Sequence, residues 1–421
     1  MGIHTHPTWL PLLAQLQEWF SIVVLAERAS PWRQASTVQA LWAPVIMGNL
    51  GIRVRVDLVN ICDNVHIRRP SPTPHEFDAE LLIPLCLSAT PTSPVIGLLR
   101  PILVDQLIKE NQTSAQLNKP PLWDIRVDPE DLLKPFVHRT DGGTGALTPS
   151  VSFQPWLDTH AKRTAAIKEL CERWRDTGVF PEVCGPKKWR SELYPVYKDP
   201  FGPHDHPSRI PSDEEVEKSN FAFEMERAAC ALFGIVTYGV HLSIYDVVNE
   251  EGKAETLRLW VPTRAKTKQT WPGYLDNTVA GGIPSGMGVF ESLVKESMEE
   301  ASLEEDLVRQ HARAVGSISY FFRTDKGWLQ PEIEYLFDIR IPDGVDHAPF
   351  VPKPLDGEVE CFEFLDQEEV MKRLKAGLFK ANCGVAIIDL LIRLGYVTPD
   401  NEKDFMKIHT RLHGRFDYER W

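Results

Sequence analysis

Apolar positions change their period several times along the chain, and each change predicts an element. VIGLLRPILVDQLIKEN (95–111) reads as a strand entering a helix. The looser stretch 112–150, with NKPP (118–121) and DGGTG (141–145), predicts surface loops. From 155 to 177 the period is helical, with Leu157, Ala161, Ala165, Ile167, Leu170 and Trp174 recurring at threes and fours. WRSELYPVYKD (189–199) closes this region. Ser212 and Glu215 form a capping-box pattern that predicts a helix through about Leu232.

The second half alternates strand and helix. Residues 236–248 alternate as a strand, with Val240, Leu242 and Ile244 on one side. Asn249-Glu250-Glu251-Gly252 can then turn the chain into a second strand, 255–262. From about Val289 the period is helical, and Phe290, Val294, Ser297 and Ala301 fall on the side that should pack on a sheet. PEIEYLFDIRI (331–341) reads as a strand, and DGEVECFEFLDQEEV (356–370) as strand then helix. FKANCGVAIIDLLIRLGYVTPDNEKDF (379–405) supplies a final apolar helix to cover the sheet.

A chain of 421 residues exceeds one ordinary core, so two domains are expected. The pattern divides it into an extension over 1–55, a smaller α+β domain over 56–235 with a linker at about 199–214, and an α/β domain over 236–421. DPFGPHDHPSRIPSDEE (199–215) is the proline-rich, charged stretch behind that linker. The extension carries Glu18 and Glu27 against Arg28, Arg33, Arg53 and Arg55, and its apolar run Phe20–Ala26 is too short to span a bilayer. A poorly ordered segment is expected there, with a mitochondrial presequence as the alternative.

Composition then narrows the function. With 43% hydrophobic and 25% charged residues the balance is that of a soluble globular protein. A net charge of −13 argues against a nucleic-acid partner, which needs a basic surface. It does not argue against a phosphorylated small molecule held through a divalent cation. Seven scattered cysteines without a CxxC pair argue against a disulfide framework or a zinc site and fit a reducing, cytoplasmic setting. No segment reads as transmembrane, so no membrane partner is expected, and the pattern sets no oligomeric state.

Candidate chemistry concentrates at 263–307. Gly281 and Gly282 end a β-like segment, IPSGMG makes a flexible loop, and the helix follows. Glu296, Glu299 and Glu300 stand at i, i+3 and i+4 and project together, away from the apolar side. Three carboxylates so placed repel one another and call for a cation, and an oxygen-lined cluster suits Mg²⁺ or Mn²⁺. The spacing alone equally describes a solvated acidic face, since Glu304, Glu305 and Asp306 continue it. Arg264, Lys266 and Lys268 form a basic patch just ahead of TWPGYLDN.

The wider pattern resembles the Nudix box, Gly-x5-Glu-x7-Arg-Glu-aliphatic-x-Glu-Glu-x-Gly-aliphatic. Gly281, Glu296, Glu299, Glu300 and Leu303 match it, and Lys295 stands at the arginine position. Met287 replaces the first glutamate, Ser297 an aliphatic residue and Ser302 the second glycine. Lysine keeps the charge but loses the bidentate fork of arginine.

The resemblance implies an α/β/α sandwich with a mixed sheet for the second half and a diphosphate hydrolase using Mg²⁺ or Mn²⁺. It implies Glu296, Glu299 and Glu300 as catalytic and metal-binding residues. Gly281 and a later acid, Glu358 with Glu334 behind it, would assist at the metal. Arg264, Lys268 and Gly282 would face a small-molecule diphosphate substrate.

TKQTWPGYLDNTVAGGIPSG, ESMEEASL, DGEVECF and FKANC, with DLVNICDN, KRTAAIKEL and WRSELYPVY from the first half, resemble the Nudix group related to thiamine pyrophosphokinase fusions. That group implies oxidised thiamine diphosphates, such as oxo- and oxythiamine diphosphate, as substrates, cleaved to the monophosphate and phosphate as a form of metabolite damage control. It also implies pocket residues from the first half, for which Arg163 and Trp189 are candidates. KQTWPGYLDN resembles the isopentenyl diphosphate isomerases too, but their active-site cysteine has no counterpart between 264 and 303. A Nudix hydrolase of another nucleoside-diphosphate-type substrate and a catalytically weak Nudix module that senses a nucleotide or binds a partner are the remaining alternatives.

Overall fold

The computed structural model describes residues 59–65, 77, 80–127, 149–248 and 255–416. The 1–55 extension, the DGGTG loop and the Asn249–Gly252 turn expected from the sequence lie outside these residues. Residues 52–421 form one compact unit.

In the first half, β1 (Ile83–Cys86) and β2 (Val95–Leu99) are apolar throughout and fully buried. Helix α1 (Pro101–Gln116) starts at a proline, whose fixed φ suits a first helical turn. It runs five residues into the stretch expected as loop. β3 (Trp123–Arg126) and β4 (Ser150–Phe153) complete a four-stranded sheet in the order β2-β1-β4-β3, in which β1 and β4 are parallel. Helix α2 (His160–Thr177) is capped by Thr159, whose hydroxyl accepts from the Lys162 N–H, and ends at Gly178 with φ 74°. Its Ile167, Leu170, Cys171 and Trp174 join Trp123, Phe153 and Phe233 in one cluster.

Ser212 does cap a helix, but that helix stops at Lys218. The helix expected through Leu232 is thus only six residues long, and a strand follows it. FAFEME becomes β6 (Phe221–Glu226), paired antiparallel with β5 (Leu193–Tyr197), with Tyr194 opposite Met225 and Val196 opposite Phe223. Alternating large apolar residues bury completely once a partner strand is beside them, and only tertiary pairing supplies that partner. The proline-rich stretch is tied down as well. The Asn220 amide donates to the carbonyls of Asp199 and Pro203, and the Tyr335 hydroxyl lies 2.8 Å from His204 Nε2.

The second half is a six-stranded mixed sheet, as expected. It contains β7 (Thr237–Val248), β8 (Thr256–Arg264), β9 (Val279–Gly282), β10 (Arg313–Arg323), β11 (Leu329–Arg340) and β12 (Val359–Asp366). Five strands run in the order β10-β11-β7-β8-β12, and β9 also pairs with β7. β11 and β7 are parallel, and the other pairs are antiparallel.

Helices cover both faces. On one, α3 (Val289–Ala301) and α4 (Glu305–His311) bury Leu293, Val294, Ala301 and Val308 against Val240, Leu242 and Ile244. On the other, α5 (Gln367–Lys375), α6 (Ala381–Arg393) and α7 (Phe405–Leu412) pack on Tyr245, Leu259, Val261 and Leu336. The final apolar stretch is therefore α6 alone, ended at Gly395 with φ 79°. Among the described residues no helix is long and apolar enough to cross a membrane, and all seven cysteines are free thiols.

Candidate active site

Two elements build the site, the short strand β9 and the helix α3 that follows it. Hydrogen bonding to β7 fixes which way each β9 peptide faces. The Ile283 N–H donates to the Tyr238 carbonyl, and Val240 stands opposite Gly281. In an antiparallel ladder the two polar groups of one residue face the same side and alternate along the strand. Gly281 therefore turns its peptide toward β7, while Ala280 and Gly282 turn theirs toward the open edge. The Ala280 N–H follows this parity and donates to Glu300 Oε2 at 3.3 Å.

Gly281 is required by packing. A Cβ built there would lie 2.2 Å from Glu296 Cγ and 2.6 Å from its Oε2. The sequence assigned Gly281 a backbone contact to metal. In the structure its carbonyl faces β7, its glycine character makes room for Glu296, and the outward carbonyl is that of Ala280.

The three glutamates share one side of α3 but reach three depths. Their side chains are 10% exposed at Glu300, 15% at Glu296 and 52% at Glu299. Lys295 Nζ bridges Glu296 at 3.0 Å and Glu299 at 2.9 Å. Lys268 Nζ lies 3.8 Å from Glu300 and pairs tightly with Glu358, so the late acid joins the helix cluster through this lysine.

Arg264, expected to face substrate, is buried. It donates to Asp276 Oδ2 at 2.5 Å and to the carbonyls of Trp271 and Thr270, and so holds the WPGYLD turn. Glu334 lies on the opposite face of the sheet. There it accepts from the Tyr320 hydroxyl, and His241 stands 3.5 Å away. Burial and the facing carboxylate push its neighbour Glu332 up to about 7.

Electrostatics identify what the cluster lacks. Burial, then Asp276, pushes Glu300 up to about 7, against the pull of Lys268. Burial also raises Glu296, with Glu299 and Glu192 adding to it and Lys295 opposing. Asp276 is held at about 2 despite its burial, because Lys380 and Arg264 stand beside it. Six carboxylates (Asp276, Glu296, Glu299, Glu300, Asp356 and Glu358) thus meet four cations (Arg264, Lys268, Lys295 and Lys380). Surplus negative charge in a partly buried oxygen-rich site fits a divalent cation. As the side chains stand, no three His, Cys, Asp or Glu residues among the described ones converge tightly enough to hold a metal. Lys268 and Lys295 occupy the spaces between the carboxylates.

The first half reaches the same strand through residues that the sequence did not single out. The Leu193 carbonyl accepts from the Ser285 N–H, Arg209 Nη2 donates to the Gly286 carbonyl, and the Tyr194 hydroxyl lies over Gly282. These residues stand far from the glycines in sequence, and no local signal links them. The two named candidates do other work. Arg163 is buried, bonded to Glu217 and to the Ala222 and Leu157 carbonyls, and Trp189 stacks under Arg175.

No family model matches the chain. Over 246 residues it is 35% identical to an uncharacterized protein of Saccharomyces cerevisiae, covering 56% of this chain and 64% of the yeast protein. It is 34% identical over 266 residues to Nudix hydrolase 20, chloroplastic, of Arabidopsis thaliana, covering 63% of this chain and 62% of that one. Nudix hydrolase 24, chloroplastic, of the same plant is 32% identical over 263 residues, covering 62% of each. The two plant relatives carry the name of the family that the glycine–glutamate segment of this chain resembles. It spans a little under two thirds of the length of each of these relatives.

Proposed function

We propose that this protein is a divalent-metal-dependent hydrolase of organic diphosphates. The observation that carries the reading is the surplus of carboxylates around the open edge of β9, with Glu300 poised near neutrality. Glu296, Glu299, Glu300 and the outward Ala280 carbonyl would hold Mg²⁺ or Mn²⁺. The bound ion would supply charge neutralisation for the phosphoryl oxygens and a more acidic water. The chain's own groups do the rest. Lys268 faces the anionic substrate, and Arg264 keeps the turn carrying Lys268 in place. Water adds to phosphorus, the anhydride P–O bond breaks, and the monophosphate leaves. The water's proton passes to a carboxylate at the lip, where Glu299 and Glu358 are about half exposed.

The narrower substrate class is oxidised thiamine diphosphates, oxo- and oxythiamine diphosphate, cleaved to the monophosphate and phosphate. Its support is the resemblance of segments in both halves to the thiamine pyrophosphokinase-related group. Seven free thiols accord with a reducing, cytoplasmic setting. A Mg²⁺-dependent hydrolysis screen read by chromatography of the products tests both levels, using thiamine diphosphate, its oxo and oxy derivatives, ADP-ribose and NADH. Cleavage of the dinucleotide-type compounds alone would remove the thiamine reading and leave the hydrolase.

One observation favours a second reading, a weakly catalytic binding module: Lys295 already neutralises Glu296 and Glu299. Calorimetric titration with Mg²⁺ separates the two, because binding weaker than millimolar would sink the hydrolase.

A further inference from the structure

On the far side of the Gly281–Gly282 strand from α3 lies a second cluster, in which Arg190 and Arg227 stand among Glu192, Glu226 and Glu332. A Cβ on Gly282 would fall 1.6 Å from the Tyr194 hydroxyl and 3.4 Å from Arg227 Cζ. Tyr194 is 3% exposed, and its hydroxyl is directed at Gly282. The Arg227 guanidinium stacks 5.0 Å from the Tyr194 ring centroid. One of its nitrogens is paired with Glu192 at 2.8 Å, and its side chain is 43% exposed.

Arg190 stands close by. It is solvent-exposed and forms no ion pair or side-chain hydrogen bond among the described residues. Partial desolvation and the neighbouring Arg227 hold its guanidinium below the ordinary arginine range, with Arg227 acting as a nearby like charge. The Gln269 amide donates to the Lys187 carbonyl, so the segment carrying Arg190 abuts the turn that carries Lys268. Two arginines thus stand beside an edge of β9 where the Gly282 N–H points outward.

We propose that Arg190, Arg227 and the Tyr194 hydroxyl, with the outward Gly282 N–H, form an anion clamp contributed by the first half of the chain. The clamp takes a phosphate group of the diphosphate substrate across the edge of β9. Planar guanidinium forks match phosphate oxygens in two directions, and the tyrosine adds a third donor. Glu192 acts as the clamp's counter-charge: it orients Arg227 and offsets its charge until an anion arrives. The inference rests on the diphosphate reading for its substrate, but its test needs no turnover.

The full-length protein, kept metal-free with EDTA at low ionic strength, is titrated calorimetrically with inorganic diphosphate. Arg227→Ala and Arg190→Ala each weaken binding about tenfold, Arg227→Lys recovers part of the loss, and Tyr194→Phe weakens it several-fold. Glu192→Gln tightens binding, an outcome a merely misfolded variant does not produce. Failure of the wild type to bind, unchanged affinity in both arginine variants, or weaker binding by Glu192→Gln overturns the clamp. Circular dichroism on each variant confirms the fold. The hydrolase reading fails separately, if no compound in the screen is hydrolysed while diphosphate still binds.

Discussion

Gly281 and Glu296 are mutually exclusive in space: a β-carbon on the glycine would lie 2.2 Å from the glutamate Cγ. The missing side chain of one residue is the seat of the other, so the strand and the helix specify a single carboxylate position between them.

Gly281→Ala should therefore displace Glu296 rather than the fold. Both elements are anchored elsewhere, β9 on β7 and α3 through Leu293 and Val294. The expected result is loss of most Mg²⁺ affinity and turnover with a stability cost of about 1–3 kcal/mol, typical of overpacking. Calorimetry and thermal unfolding read the two effects apart, and unchanged Mg²⁺ affinity would contradict the geometry.

Glu299 is the most exposed of the three helix carboxylates and has little part in packing. Glu299→Gln should leave the unfolding temperature within a degree or two while turnover falls by orders of magnitude. A variant that releases phosphate at the wild-type rate removes Glu299 from the machinery.

Arg264 leads to the opposite pattern. Its guanidinium is buried against Asp276. Arg264→Ala strands that carboxylate and frees the Trp271 and Thr270 carbonyls, at a cost of about 3–5 kcal/mol. The check is urea denaturation. A small stability change with a large rise in KM would instead make Arg264 a direct substrate contact.

Glu300 sets a pH dependence whose sign can be worked out. A carboxyl raised from an ordinary 4.5 to about 7 favours the folded state while protonated. That contribution is fully present below 4.5 and is lost as pH climbs through 7. Metal-free protein should therefore lose stability over this window, partly through Glu332, which is raised in the same direction. Glu300→Gln should remove the Glu300 share of the slope, measured by thermal unfolding in EDTA. Mg²⁺ must displace the same proton, so its affinity should rise with pH up to about 7. A pH-independent Mg²⁺ affinity would count against Glu300 as a ligand.

How much of this was legible in the sequence depended on the range of each interaction. The three glutamates and the apolar side of α3 follow from helical periodicity, a local property, so the sequence determined them. The strand at 236–248 was equally plain from alternation. The glycine pair was visible as well, although the reason for it was not: Gly281 makes room for Glu296 and Gly282 lies beneath Tyr194, both non-local contacts. Arg264 read as one cation of a surface patch because burial has no local signal.

The tertiary structure alone decided four matters. It made FAFEME a strand, because β5 offered a partner that outweighed the preceding helix cap. It set Glu300, Glu296 and Glu299 at increasing exposure on one helix side, since depth depends on what packs around the helix. It turned the Ala280 carbonyl rather than that of Gly281 to the open edge, because the pairing register with β7 fixes peptide direction. And it brought Tyr194, Arg190 and Arg227 to that edge through the packing of the two halves. Sequence supplies charges and periods, but only the folded chain determines which charges lose their water and which of them meet.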